Sequence, residues 1–218
     1  MTGNPFNDRL AALAAKAGID VSQGVCEQLE AYVQLLTLWN QRINLTALPL
    51  SPPTDEAFDR LLIEPLAAAR LADEPPQAWF DIGSGGGSPA IPLKIAHPSA
   101  RLTMVESKTK KAAFLREAIR VLELTDTAVI DERFETISDE GRARNLDLVT
   151  VRGVKGDPRL YRAIRKLLAP TGCLFLFHSP ETQPHAHGFI IEQVARLGTA
   201  DDARLTILKP MFHVEHRI

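Results

Sequence analysis

The sequence predicts an α/β fold: short, mostly parallel strands with crossover helices on both faces of the sheet, and a small helical extension at the amino terminus. Three observations lead there. Apolar residues fall three and four apart over the first seventy residues, short apolar runs then alternate with amphipathic segments, and a glycine-rich turn joins the first such run to a helix.

Residues 7–17, and more clearly 25–43, carry the helical period, with Leu29, Tyr32, Val33, Leu36 and Trp39 on one face. The stretch from Asn40 to Thr46 ends that pattern, and Pro49, Pro52 and Pro53 delay a third helix to residues 54–71 because proline lacks the backbone donor. Glu74-Pro75-Pro76 closes the section, so residues 1–74 are expected to form the extension and 75–218 the main domain. Strands are expected at 79–82, 102–106, 128–131, 147–151 and 173–177, with two more near 205–208 and 212–214, seven in all. Helices are expected at 89–96, 108–122, 158–168 and 189–197, and the proline-bearing stretch 179–188 reads as a loop.

A chain of 218 residues suits one domain with an appendage. Its 45% hydrophobic and 24% charged content excludes disordered and fibrous classes. Cys26 and Cys173 are too few and too distant for a disulfide framework or a structural zinc site. The apolar runs are too short to span a bilayer, and residues 1–10 lack the apolar core of a signal peptide, so a cytoplasmic protein is expected.

The turn carries the chemistry. Asp81 lies at the end of a strand that runs into Gly83, Ser84, Gly85 and Gly87, and Pro89 opens a helix. A nicotinamide dinucleotide site asks for its third glycine at position 88, where this chain has Ser88, which disfavours that cofactor without removing it. S-adenosylmethionine carries no phosphate and presents an amino acid and a sulfonium, which suits an acid at the strand end. Glu106, about 20 residues after the loop, ends the second strand, where a carboxylate can accept both ribose hydroxyls of an adenosine. Together these predict a class I S-adenosylmethionine-dependent methyltransferase with a Rossmann-like, mixed seven-stranded sheet.

Three stretches then narrow the family: Leu38-Trp39-Asn40-Gln41-Arg42-Ile43-Asn44-Leu45-Thr46, the loop from Asp81 through Ser88-Pro89-Ala90-Ile91-Pro92-Leu93, and Glu106-Ser107 through Lys110-Lys111 to Phe114-Leu115-Arg116-Glu117. With them the chain resembles, over most of its length, the family of ribosomal RNA small subunit methyltransferase G, also called GidB. The resemblance implies methyl transfer from S-adenosylmethionine to N7 of one guanine in the decoding region of 16S ribosomal RNA, within the 30S subunit. It implies that Gly83, Ser88, Phe134, Glu135 and Arg152 contact the cofactor, that Arg152 also serves as the catalytic residue, and that Lys110 and Arg116 hold the RNA. Two positions depart from the family pattern: Ala90 replaces a glycine, and His178-Ser179 replaces a Lys-Gly pair.

The chemistry agrees with the residues. Guanine N7 exposes a lone pair, so its methylation needs no general base. The Asp/Asn-Pro-Pro-aromatic turn used on exocyclic amines is replaced here by Thr150-Val151-Arg152-Gly153, and neither cysteine has the surroundings of the thiolate that pyrimidine-carbon methylation uses. Between Arg101 and Arg120, six basic residues face two acidic ones, the footprint of a polyanion partner; between Arg152 and Lys166 six face one, but there Arg162, Arg165 and Lys166 read as a solvated helix face. His185, His187, His213 and His216 have no acidic or thiol companion at a metal-binding spacing, so no metal is expected. A monomer acting away from membranes is expected. The rival readings are methylation of another RNA or a small molecule, a non-catalytic adenosyl-binding regulatory module and, third, a nicotinamide reductase.

Overall fold

The computed structural model describes residues 4–72, 74–139, 145–154, 156–182, 184, 186–200 and 203–211. The amino-terminal section contains α1 (Pro5–Lys16) and α2 (Gln23–Asn40), capped by the side chains of Asn4 and Ser22, which accept from the Phe6 and Val25 amides. The expected third helix is present but broken. It runs as α3 (Asp55–Phe58), one π turn (Asp59–Ile63) and α4 (Glu64–Ala69). Within the π turn, buried Asp59 accepts the backbone N–H groups of Thr199 and Ala200, at 2.8 to 3.1 Å, from the far end of the chain. A helical period cannot reveal such a partner.

Leu10, Leu29, Leu36 and Leu62 from these helices join Ile91 and Phe114 of later helices and Phe175 of the sheet in one continuous apolar core. The turn after α2 is fixed by Asn40, whose Oδ1 accepts from the Leu45 and Thr46 amides while its Nδ2 donates to the Thr46 carbonyl. That places the Leu45 carbonyl where a side chain on Gly86 would have to sit, 3.1 Å from the ideal Cβ. Tyr32, wholly buried, donates to the Gly86 carbonyl at 2.7 Å. The helices therefore back the glycine-rich turn.

The sheet has seven strands in the order β3-β2-β1-β4-β5-β7-β6. Strands β1 (Ala78–Ile82), β2 (Arg101–Val105), β3 (Thr127–Ile130), β4 (Leu146–Arg152) and β5 (Leu168–His178) pair in parallel. Crossover helices are α5 (Ala90–Ala96), α6 (Thr109–Val121), a short α7 (Phe134–Asp139) that was not foreseen, and α8 (Pro158–Leu167). Strand β7 (Ala203–Pro210) is antiparallel to β5.

One expectation is overturned. Residues 189–197, expected as a helix, form the edge strand β6 (Phe189–Leu197), antiparallel to β7. Phe189, Ile190, Val194 and Leu197 mimic a helical stripe, yet Ile190, Ile191 and Val194 are β-branched, and β7 offers a full edge of backbone partners. Long-range pairing overrode the local period. The strand expected at 212–214 lies outside the described residues; β6 supplies the seventh strand. Strand order reverses beside β1, whose neighbours are β2 and β4, so the crevice at its carboxyl end is where open α/β sheets take ligands.

Candidate active site

At that crevice β1 leaves the sheet through Gly83 and Ser84, whose amides both donate to the Val105 carbonyl at the end of β2. Gly83 has φ +76°, and a Cβ there would lie 2.5 Å from Val154 Cγ2, so glycine is required on both counts. Glu106 closes the second strand as expected. Its Oε2 accepts from the Gly85 amide at 2.9 Å and its Oε1 from the Lys108 amide at 2.8 Å. Each carboxylate oxygen retains a lone pair for a further donor. A cavity of about 220 Å³ opens beside it, lined by Gly83, Glu106, Ser107, Phe134, Glu135 and Val154 among others. Gly83, Glu106, Phe134 and Glu135 thus meet around one hollow, from the ends of β1 and β2 and the start of α7.

Asp81, Ser84, Gly85 and Gly87 of the same turn do not line this cavity. Asp81 is buried, its Oδ1 accepting from the Thr150 hydroxyl, which in turn accepts from Trp79 Nε1 at 2.9 Å. Ser84 donates to the Asp81 backbone carbonyl, and Asp81 Oδ2 is left without a hydrogen-bond partner. Burial pushes the Asp81 carboxyl up to about 6, against the opposing effects of the Ser84 and Thr150 hydroxyls and of Arg152. A buried carboxylate oxygen without a partner and a turn too tight for side chains fit a ligand that brings its own donors.

Ser88 and Arg152 do not line that cavity either. Ser88 Oγ donates to the Leu61 carbonyl at 3.0 Å and lies 3.4 Å from Arg152 Nη1. Arg152, at the end of β4, donates to the Arg60 carbonyl and pairs with Glu64 Oε2 at 2.5 Å, its guanidinium 4.5 Å from the Phe177 ring centroid. Burial pulls the Arg152 guanidinium down and Glu64 pulls it back up, the main opposing pair of effects. A second cavity of about 480 Å³ lies here, lined by Arg60, Glu64, Arg152, Tyr161, Phe177 and His178 among others, and Val154 is a wall common to both cavities. His178 is held by Ser179 O and Thr206 Oγ1, each at 2.8 Å.

Lys110 and Arg116 are exposed on α6 and line neither cavity; Arg116 has Asp131 at 3.9 Å. Lys155 of the second basic stretch lies outside the described residues, as do His185, His213 and His216. Cys26 is buried and Cys173 half-buried. Among the described residues no cluster of His, Cys, Asp or Glu is arranged to hold a metal ion, and no helix is long and apolar enough to cross a membrane.

Sequence reasoning missed Arg60, Glu64, Tyr32 and Thr150. Glu64 alone left a signal: it falls on the stripe Ala57, Leu61, Glu64, Ala68, a carboxylate where the helical period calls for an apolar residue.

The strand order, the reversal beside β1 and the glycine-rich turn define the class I methyltransferase fold. A solved S-adenosylmethionine-dependent methyltransferase from Aquifex aeolicus shares it, with a TM-score of 0.55 and 12% identity over 69% of this chain and 91% of that one. The chain belongs to the GidB family, rRNA small subunit methyltransferase G, whose pattern matches residues 25–191. It is 42% identical over 156 residues to the ribosomal RNA small subunit methyltransferase G of Chloroflexus aggregans, covering 71% of this chain and 63% of the relative. To that of Leptothrix cholodnii it is 31% identical over 216 residues, covering 94% of this chain and 96% of the relative. The first match therefore spans less than two thirds of the relative's own length.

Proposed function

We propose that the protein transfers a methyl group from S-adenosylmethionine to N7 of a guanine in the decoding region of 16S ribosomal RNA, acting on the 30S subunit in the cytoplasm as a monomer. The observation that carries this reading is the pair of cavities sharing Val154, one beside Glu106 and the glycine turn, the other beside Arg152. Family membership supports the choice of substrate.

When bound, S-adenosylmethionine supplies an electrophilic methyl that guanine N7 takes with its own lone pair, so no proton leaves in the transfer. The chain's work is then to bind, orient and exclude water. Glu106 accepts from the ribose hydroxyls while the Gly85 and Lys108 amides keep its carboxylate in place. Phe134 and Glu135 flank the adenine, and Glu135 accepts from its amino group. Asp81, Gly83, Ser84, Gly85 and Gly87 shape the turn, and Ser88 positions Arg152. Arg152 faces cofactor and acceptor base together and is the residue whose loss should affect transfer most. Lys110 and Arg116 neutralise RNA phosphates some way from the chemistry. The extension, residues 1–74, supplies Tyr32 behind the turn and Arg60 and Glu64 beside Arg152, which supports its treatment as part of the catalytic unit.

The test is transfer of tritiated methyl to 30S subunits lacking the mark, followed by mapping of the modified base. Absence of incorporation into those subunits, with S-adenosylmethionine binding intact, would sink the ribosomal assignment.

A further inference from the structure

The second cavity has a polarity that the cofactor site does not need. Its wall carries a donor and an acceptor side by side: Arg152 and Glu64 are joined at 2.5 Å, with side chains only 16% and 2% exposed. Both are held in place. Arg152 is fixed by the Arg60 carbonyl and the Phe177 ring, and Glu64 sits at the junction of the π turn and α4. A buried ion pair seldom stabilises a fold better than apolar residues of the same volume, so its polarity invites a use in recognition.

We propose that this pair reads the Watson–Crick edge of the acceptor guanine, Arg152 donating to O6 and Glu64 accepting from N1–H and the N2 amino group. Guanine carries an acceptor beside two donors on that edge, and the Arg152–Glu64 pair carries the complement in the same order. Adenine presents an amino donor where O6 stands and a bare ring nitrogen where N1–H stands, so both contacts become repulsive. A base held by this edge keeps N7 unengaged and available to the methyl group. An acceptor taken out of its stack is ordinarily recognised through hydrogen bonds on this edge. The proposal rests on the guanine-N7 reading above and adds to it the residue that selects the base.

The experiment uses the full chain and 30S subunits reconstituted with 16S RNA bearing either guanosine or inosine at the methylated position. Inosine lacks only the N2 amino group. The wild-type protein should methylate inosine about tenfold more slowly in kcat/KM, the loss expected for one hydrogen bond to a charged acceptor. Glu64→Gln should lose about tenfold or more on guanosine, because its single amide oxygen accepts from N1–H while its amide NH2 cannot accept from N2, yet show no further loss on inosine, which keeps N1–H and has no N2 amino group. If Glu64 served only to hold Arg152, the inosine penalty would persist in Glu64→Gln, and that result overturns the proposal. So does equal wild-type activity on both bases. Binding of S-adenosylmethionine reports that the variant is folded. If Glu64→Gln fails to bind it, Glu64→Asp keeps the charge but withdraws it by one methylene, and the same ratio is read. If the wild-type protein leaves guanosine subunits unmodified, the guanine-N7 reading itself fails and takes this proposal with it.

Discussion

Replacing Arg152 by Ala removes one member of an ion pair whose other member, Glu64, is 2% exposed. The carboxylate then lies in a cavity wall without its Arg152 partner, and breaking a buried pair in this way costs about 3–5 kcal/mol. Loss of the bond to the Arg60 carbonyl and of the contact with the Phe177 ring acts in the same direction. For a chain of this length each kcal/mol moves the midpoint by about 2–4 °C, so thermal unfolding should shift downward by about 6–20 °C. The double variant Arg152→Met with Glu64→Leu removes both charges at similar volume and should recover most of that shift, because neither member of the pair is left without the other. Neither variant should transfer methyl to RNA. The reasoning fails if Arg152→Ala lowers the midpoint by less than about 3 °C, or if the double variant is no more stable than the single one.

Glu106→Gln should weaken S-adenosylmethionine binding by about 10–100-fold, since an amide replaces the charged acceptor that holds the Gly85 and Lys108 amides and is proposed to bind the ribose; calorimetry checks it, and a change below threefold would count against a ribose contact. The Asp81 carboxyl is raised from 3.8 to about 6 in the folded chain, so the native state holds its proton more tightly than the unfolded state and stability falls as pH rises from about 4 to about 6, then stays level. Asp81→Asn removes that penalty, worth about 2–3 kcal/mol, and should stabilise the protein against urea at pH 8 but much less at pH 4.5; an equal effect at both would show that ionisation is not the cause. Lys110→Ala and Arg116→Ala should each reduce the salt dependence of 30S binding by about one unit of slope while leaving cofactor affinity unchanged, measured by titration at several ionic strengths.

The glycine-rich turn and the carboxylate beside it were the most legible part of the candidate site. Asp81, Gly83 and Glu106 are separated by short, regular intervals, and a parallel strand followed by a crossover helix places such residues at one sheet edge whatever the details of packing. Phe134 and Glu135 were legible only through family resemblance, because the short α7 that carries them has too few turns for a period to show. Glu64 and Arg60 were not legible as partners of Arg152, which is 88 residues from Glu64 in the chain.

The departure of residues 189–197 from the helical expectation, as strand β6, has the same origin. Its apolar spacing satisfied a helix, and only the open edge of β7, met after the chain reverses, supplied backbone partners that made the extended form better. Local order along the chain therefore determined the class I α/β architecture, the glycine turn and the carboxylate beside it, since each depends on residues close in sequence. Tertiary structure alone decided what surrounds Arg152: a π turn from the helical extension, an aromatic ring from β5 and a carboxylate at α4 converge there because burying their apolar neighbours brings those elements together. No local interval in the chain encodes that convergence.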